Sequence, residues 1–401
     1  MHTAHTEDTQ TIPALREMSR DQIERIGCND VDFARHTRLD HLFSGCTSLV
    51  SFDSSGMNTS GATSLGHLFR YCSSLTSIDL SPLDTSRVTD IRHMFRGCSS
   101  LTSLDLSPLD TSQVATLESL CRNCHALTSV NLTGLDASSV RSVSHMFAGC
   151  TSLISIDLTG LDTSHATDLS HMFAWCHNLQ EVDLSGLDTS KVTSVASMFF
   201  KCANLQRIDL AGLDLSSVQD FSAMFSYCAR LQTVDLSGWD TREARNMKHM
   251  FSFCESLHTV NLTGLNTRKV TSMSHMFANC TSLHTFDLRG VRLRDDCDAT
   301  YMFDCCTSLQ SVNMSYMRLP NATRCILMFR CCSELSHVDL RGVCLPSIPY
   351  LNAMFCGCSA LTDIEVSSLY RSVADELLRM DRKRGFLYPL EEQRLRTGQI
   401  P

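Results

Sequence analysis

Tryptophan is almost missing from this 401-residue chain, with 2 copies, and tyrosine is scarce at 7. Long apolar runs are missing too. None approaches the ~20 residues that a membrane-spanning helix requires, so composition argues against membrane insertion. Excess positive charge is also lacking: 34 Lys and Arg stand against 43 Asp and Glu, a net charge of −9. That balance excludes an extended nucleic-acid footprint, which needs a positive face. The opening segment through Cys28 has no apolar stretch of the kind a secretory signal carries, and Ile26-Gly27-Cys28 lacks the apolar lead-in of a lipoprotein site. What the chain does have in quantity is cysteine (21), phenylalanine (19) and methionine (18).

The cysteines set the organisation. Cys46, Cys72, Cys98, Cys124, Cys150, Cys176, Cys202, Cys228, Cys254, Cys280, Cys306, Cys332 and Cys358 follow one another at intervals of 26, without insertion or deletion. Length alone would suggest two or three domains, but a fixed period in this range marks a solenoid whose units bury their apolar faces against their neighbours.

Columns within the repeat define its parts. Phe stands three before the cysteine in every repeat except the one with Cys121, and Leu stands three after it in all of them. In Leu153-Ile-Ser-Ile-Asp-Leu-Thr-Gly160, Ile156 and Leu158 alternate with Ser155, Asp157 and Thr159, the pattern of a short strand with one buried face. In Asp188 to Phe199, apolar Val192, Val195, Met198 and Phe199 fall on one helical stripe behind the capping-type residues Asp188, Thr189 and Ser190. The spacing predicts an α/β solenoid of thirteen strand–turn–short-helix repeats, the helices partly 3₁₀. The predicted organisation is an N-terminal segment and cap over 1–38, the array over 39–366, and a C-terminal helical cap and tail over 367–401.

The run Leu-x-x-Ile-Asp-Leu, then Gly-Leu-Asp-Thr-Ser-x-Val and Met-Phe-x-x-Cys, resembles the repeat of BspA-like leucine-rich-repeat surface proteins from bacteria. The resemblance implies a right-handed leucine-rich-repeat horseshoe used for protein binding, in adhesion or host interaction, at the cell surface or secreted. Two departures stand out. Leu135, Leu161 and Leu187 occupy the slot where ordinary leucine-rich repeats carry an Asn ladder, and no export signal or anchor is recognisable, which leaves a cytoplasmic location as the alternative.

Candidate chemistry lies in recurring columns. An acidic ladder comprises Asp53, Asp79, Asp105, Asp157, Asp183, Asp209, Asp235, Asp287, Asp339 and Glu365, with a second column at Asp84, Asp110, Asp136, Asp162, Asp188, Asp214 and Asp240. At a strand spacing of ~4.8 Å, stacked like charges disfavour ionisation. Relief is expected from water, Ser and Thr neighbours, backbone N–H groups or a bound cation. The first column reads as bonding hydroxyls across strands and the second as helix caps, with a cation-binding or basic-partner surface as the alternative. His41, His67, His93, His145, His171, His249 and His275 recur five before the cysteine and read as helix-edge residues, with helices 8–10 Å apart. The ladder cysteines read as core residues. The additional ones (Cys305, Cys331 and Cys356 among them) leave disulfides or a thiolate metal site open.

No unique catalytic constellation interrupts the repeats, so an enzyme is not expected, and neither a cofactor nor a metal is called for. The expected role is a monomeric scaffold that binds a protein ligand on its strand face, with an intracellular interaction module or secreted effector as the alternative. Glu181, Arg207, His337 and Asp363 interrupt the Ser/Thr column two before the ladder acid, and Arg289 and Arg341 interrupt the column two after it. Together with Asp79, Asp105, Asp157, Asp183, Asp209, Asp235, Asp287 and Asp339, these are the candidate binding residues.

Overall fold

The computed structural model describes residues 33–289, 291–318, 324–343, 353–372 and 374–375. The chain divides into two units, Met1–Val192 and Thr193–Pro401, and the same layer builds each of them. The first unit holds β1 (Ser51–Phe52), β2 (Ser77–Ile78), β3 (Ser103–Asp105) and β4 (Ser129–Asn131). The second holds β5 (Thr233–Asp235), β6 (Thr259–Asn261), β7 (Thr285–Asp287), β8 (Ser311–Asn313), β9 (His337–Asp339) and β10 (Asp363–Glu365). All pairs are parallel: β1 with β2, β3 with β4, β5 with β6, and β7 to β10 as one four-stranded sheet. Each residue faces its counterpart one repeat away, as Thr285 faces Ser311 and Asp287 faces Asn313. The strands are short because only one residue per layer, such as Leu104 between exposed Ser103 and Asp105, must point inward before the chain turns. Segments around Asp157, Asp183 and Asp209 keep the same alternation without a complete strand ladder.

The face opposite the strands corrects the expectation of a short helix per repeat. Leading up to each ladder cysteine is a run of tight turns, apart from helical Ala353 and Met354. Alternate N–H groups close turns within the layer and reach the next layer. Leu68 N–H donates to Leu65 O and Cys72 N–H to Phe69 O, while His67, Phe69 and Tyr71 donate to Arg92, Met94 and Arg96 in the following layer. Every described residue five before a ladder cysteine with a side chain has positive φ, from His41 at 63° to Leu327 at 58°, except in the last repeat, and so do most residues one before it, including Gly97 at 78° and Asn123 at 63°. A positive φ at the third position is the mark of a type II turn and is incompatible with a helix interior.

The physical reason lies in thickness. An α-helix with side chains is about 10 Å wide, twice a strand spacing, so helices on one face would force the layers apart there. Turns that hydrogen-bond from layer to layer stack at the pitch of the strands. The core shows the result: Phe225, Phe251 and Phe277 lie ring on ring with centroids 5.5 and 5.4 Å apart, fully buried. The histidine column is corrected with it. Instead of edge residues on separated helices, His41, His67 and His93 are stacked rings 4.2 and 4.5 Å apart, His145 and His171 are 4.3 Å apart, and His249, His275 and Tyr301 follow at 4.7 and 4.8 Å. The predicted N-terminal cap over 11–28 lies outside the described residues, as does most of the C-terminal one. Its described start is the 3₁₀ turn Ser368–Tyr370, with helical residues 371–372 and 374–375 after it.

The ladder thiols have a specific place. Cys72 Sγ donates to Phe43 O at 3.1 Å, Cys98 to Phe69 O and Cys124 to Phe95 O, and the same bond recurs through Cys358 to Phe329 O. All nineteen described cysteines are free thiols, and none of the disulfides left open from the sequence forms among them. Burial raises the thiols of Cys150, Cys254 and Cys306 well above their usual range, with Cys176 pushed up to about 12. Among the described cysteines, only Cys305, Cys331 and Cys356 are partly exposed. Limited alkylation of the native protein, read by mass spectrometry, is expected to modify these three before any ladder cysteine. Early labelling of Cys176 or Cys254 would contradict the packing described.

Candidate binding site on the strand face

Each layer turns at its aspartates. Asp53 Oδ1 accepts the N–H of Ser55, Asp79 that of Ser81, Asp105 that of Ser107, Asp157 that of Thr159, Asp183 that of Ser185, Asp209 that of Ala211 and Asp235 that of Ser237, all at 2.9–3.0 Å. The second column does the same, as Asp84 accepts from Ser86 and Asp136 from Ser138. A third column, unnoticed in the sequence, repeats it at Asp90, Asp168, Asp220 and Asp298. These are Asx turns, not bonds to hydroxyls across strands and not helix caps. They also correct the charge argument. The backbone N–H and the hydroxyl at the turn hold the carboxyls of Asp53, Asp79, Asp157, Asp183 and Asp235 below the usual range, outweighing repulsion from neighbouring acids. These five carboxylates are satisfied by the backbone and hydroxyls of their own turns.

The repeating aspartates are therefore turn residues, and the departures from the repeat become informative. Within β7 to β10 the departures converge. Strand register places Thr285, Ser311, His337 and Asp363 in one exposed row, and Asp287, Asn313, Asp339 and Glu365 in the next. His337 Nδ1 is 2.8 Å from Asp363 Oδ2. The Arg341 guanidinium makes two bonds to Asp339, at 3.0 and 2.7 Å, and its Nε lies 3.1 Å from Glu365 Oε2. Arg341 in turn holds the Asp339 carboxyl well below the usual range. Arg289 closes the row at the other end with a 3.0 Å bond to Asp287. Between the rows is a shallow depression of about 340 Å³ with Phe286 and Val312 at its floor and His337, Asp339, Arg341 and Glu365 on its walls. Tyr316, beside Gly342, is 69% exposed.

Of the residues singled out in the sequence, Asp287, Arg289, His337, Asp339 and Arg341 come together here. The others do not join them. Asp79, Asp105, Asp157, Asp183 and Glu181 lie in the first unit, while Arg207, Asp209 and Asp235 lie in earlier layers of the second. Sequence reasoning missed Tyr316, and the signal was available: an aromatic stands in a Met-Ser-Tyr-Met segment where other repeats have Gly or Pro, or Ser368 in the last, two after the strand's last apolar position. Among the described residues His337, Asp363 and Glu365 form the grouping whose potential metal-ligand atoms fall within 4.8 Å of one another. Arg341 occupies one side of Glu365, so a cation there would compete with an ion pair already made.

Among solved structures, a leucine-rich cell surface protein from Faecalibacterium prausnitzii is 18% identical over 87% of this chain and 81% of that chain, with a TM-score of 0.37. An internalin from Listeria monocytogenes is 12% identical over 88% and 92% of the two chains, with a TM-score of 0.26. The functional domain of InlJ from the same species, described as including a cysteine ladder, is 14% identical over 88% and 67%, with a TM-score of 0.21. No curated protein matches. The family described as "Mycoplasma protein of unknown function, DUF285" matches repeatedly, at residues 37–156, 117–233, 142–260, 198–317 and 231–339. The BspA type leucine-rich repeat region matches residues 299–380. With more than half of its length matched, the chain belongs to the DUF285 family of BspA-like leucine-rich-repeat proteins.

Proposed function

We propose that the chain is a non-enzymatic, monomeric binding scaffold whose array over 39–366 presents the β7–β10 face to a protein partner, in adhesion or another surface interaction. The observation that carries this reading is the convergence of Arg289, His337, Arg341, Asp363 and Glu365, with exposed Tyr316, on one sheet. Elsewhere the same columns hold mostly Ser, Thr and turn-forming Asp or Asn, with Glu181 and Arg207 as charged exceptions on single layers. Arg and Tyr are the residue types that dominate binding at protein interfaces, and a shallow apolar floor ringed by charge is the usual anatomy of such a site. Catalysis is disfavoured by the same geometry. Ser311 shares a row with His337 and Asp363, but among the described residues it makes no hydrogen bond to His337, the contact that would activate a serine nucleophile.

The test is charge reversal. Arg341→Glu combined with Asp363→Lys is expected to weaken capture of the partner at least tenfold, since each change removes a charged contact. The matched reversal Glu181→Lys with Arg207→Glu is expected to leave it unchanged. Equal loss in both variants, or loss in neither, would sink the assignment to this face.

A further inference from the structure

On the turn face of the first unit, one charged column is left without its counter-charge. Arg70, Arg96 and Arg122 stand two before Cys72, Cys98 and Cys124 on successive layers. Their carbonyls accept layer-to-layer bonds from Gly45, Tyr71 and Gly97 at 2.6, 2.7 and 2.7 Å, so their backbones repeat at about the ~4.8 Å strand spacing. In a chain of net charge −9, this column sets like charges on neighbouring layers. Among the described residues none of the three has a carboxylate within ion-pair distance. Neighbouring Asp90 is committed to Arg92 at 2.8 Å, and Glu118 acts on Arg122 only as a nearby charge. The Nε atoms of Arg70 and Arg96 are buried with no acceptor.

Tyr71 fixes Arg70 and Arg96 in place. Its ring lies over Gly97, where an added Cβ would meet it at 2.3 Å. It carries Arg70 Cζ 4.7 Å and Arg96 Cζ 5.9 Å from its centroid, and its hydroxyl accepts from Arg70 Nη2 at 3.3 Å. Ordering of this kind removes much of the entropy cost of clamping a ligand. Burial, and then the adjacent Arg96, lower the proton affinity of Arg122, while Tyr71 and Glu118 act in the opposite direction. Forked donors held side by side match the oxygens of a tetrahedral anion.

We propose that Arg70, Arg96 and Arg122, the first two ordered by Tyr71, bind an oxyanion ligand bearing phosphate or sulfate groups. The test is calorimetric titration of the full chain at low ionic strength with two probes, inorganic pyrophosphate and a sulfated disaccharide. Saturable binding that weakens with added salt is expected, and the probe bound more tightly identifies the source of the anionic group. Arg96→Gln should weaken binding about tenfold or more, as the loss of a charge-assisted pair of bonds requires. Arg141→Gln, on an exposed arginine outside the column, should leave it unchanged. Arg96→Lys, which keeps charge and packing but not the fork, should melt as the parent does and bind more weakly. Absence of binding to both probes, or undiminished binding in both Arg96 variants, would overturn the proposal.

Discussion

Phe251→Ala is expected to destabilise the protein by about 3–5 kcal/mol, the cost of emptying a phenylalanine site that cannot collapse. Phe251 is fully buried and lies between Phe225 and Phe277 with interplanar angles of 5° and 6°. Its N–H donates to Met276 O, and its carbonyl accepts both Cys254 N–H and the Cys280 thiol. The layer spacing is fixed by backbone bonds on two faces, so neighbouring rings cannot close the gap. In a solenoid the damage falls on a nearest-neighbour interface, so the loss is also expected to separate the unfolding of the layers on either side. Urea denaturation followed by fluorescence and by backbone dichroism measures both effects. A single coincident transition shifted by less than about 1 kcal/mol would contradict the stacked core.

Acid should loosen the protein well above the range in which carboxylates titrate. Burial, reinforced by the stacked neighbour, lowers His67, His93, His145 and His249 to about 4 from 6.5, with His171 and His275 lowered as well. Because the folded-state values lie below the unfolded ones, the unfolded chain binds more protons between them. Stability contributed by the neutral stacks is complete above pH ~6.5 and falls as pH drops toward 4. Near pH 5 those four rings alone imply an uptake of roughly four protons on unfolding. Below that window Asp53, Asp79, Asp157, Asp183 and Asp235, held below the usual carboxyl range by their turns, add a second loss. The slope of stability against pH from 7 to 4.5 reads the proton count. His67, His93, His145 and His249 replaced together by Asn, which tolerates positive φ and does not titrate, should flatten it. A flat parent profile would contradict the stacks.

The repeat and the strand face were legible because both follow from spacing. Cysteine every 26 residues and the in–out alternation of Ser155, Ile156 and Asp157 leave one economical solution. The turn face was misread because apolar spacings of 3, 3, 1 and 3 suit a helical stripe and a chain of tight turns equally well. What separates them is backbone chirality, and the sequence does carry that signal. Gly45, Gly97, Asn123, Gly149, Asn279 and Gly357 precede ladder cysteines, and histidine, another residue tolerated at positive φ, recurs five before them. The relief of the acidic ladder was legible only as a choice among donors, because the N–H two residues on is a donor that no residue type advertises. The binding face was half legible. Arg289, His337 and Arg341 stood out as column breakers, but only the register of β7 to β10 brings them together and leaves Glu181 and Arg207 elsewhere.

The stacked histidines, the inert thiols and the presentation of β7–β10 all depend on layers built as ladders on both faces, with turns where a leucine-rich repeat could have carried a helix. Far-ultraviolet circular dichroism of the full chain tests that most directly. A spectrum dominated by strand and turn is expected, without the double minimum of helix. A strong helical double minimum, of the size thirteen three-turn helices would give, would contradict it.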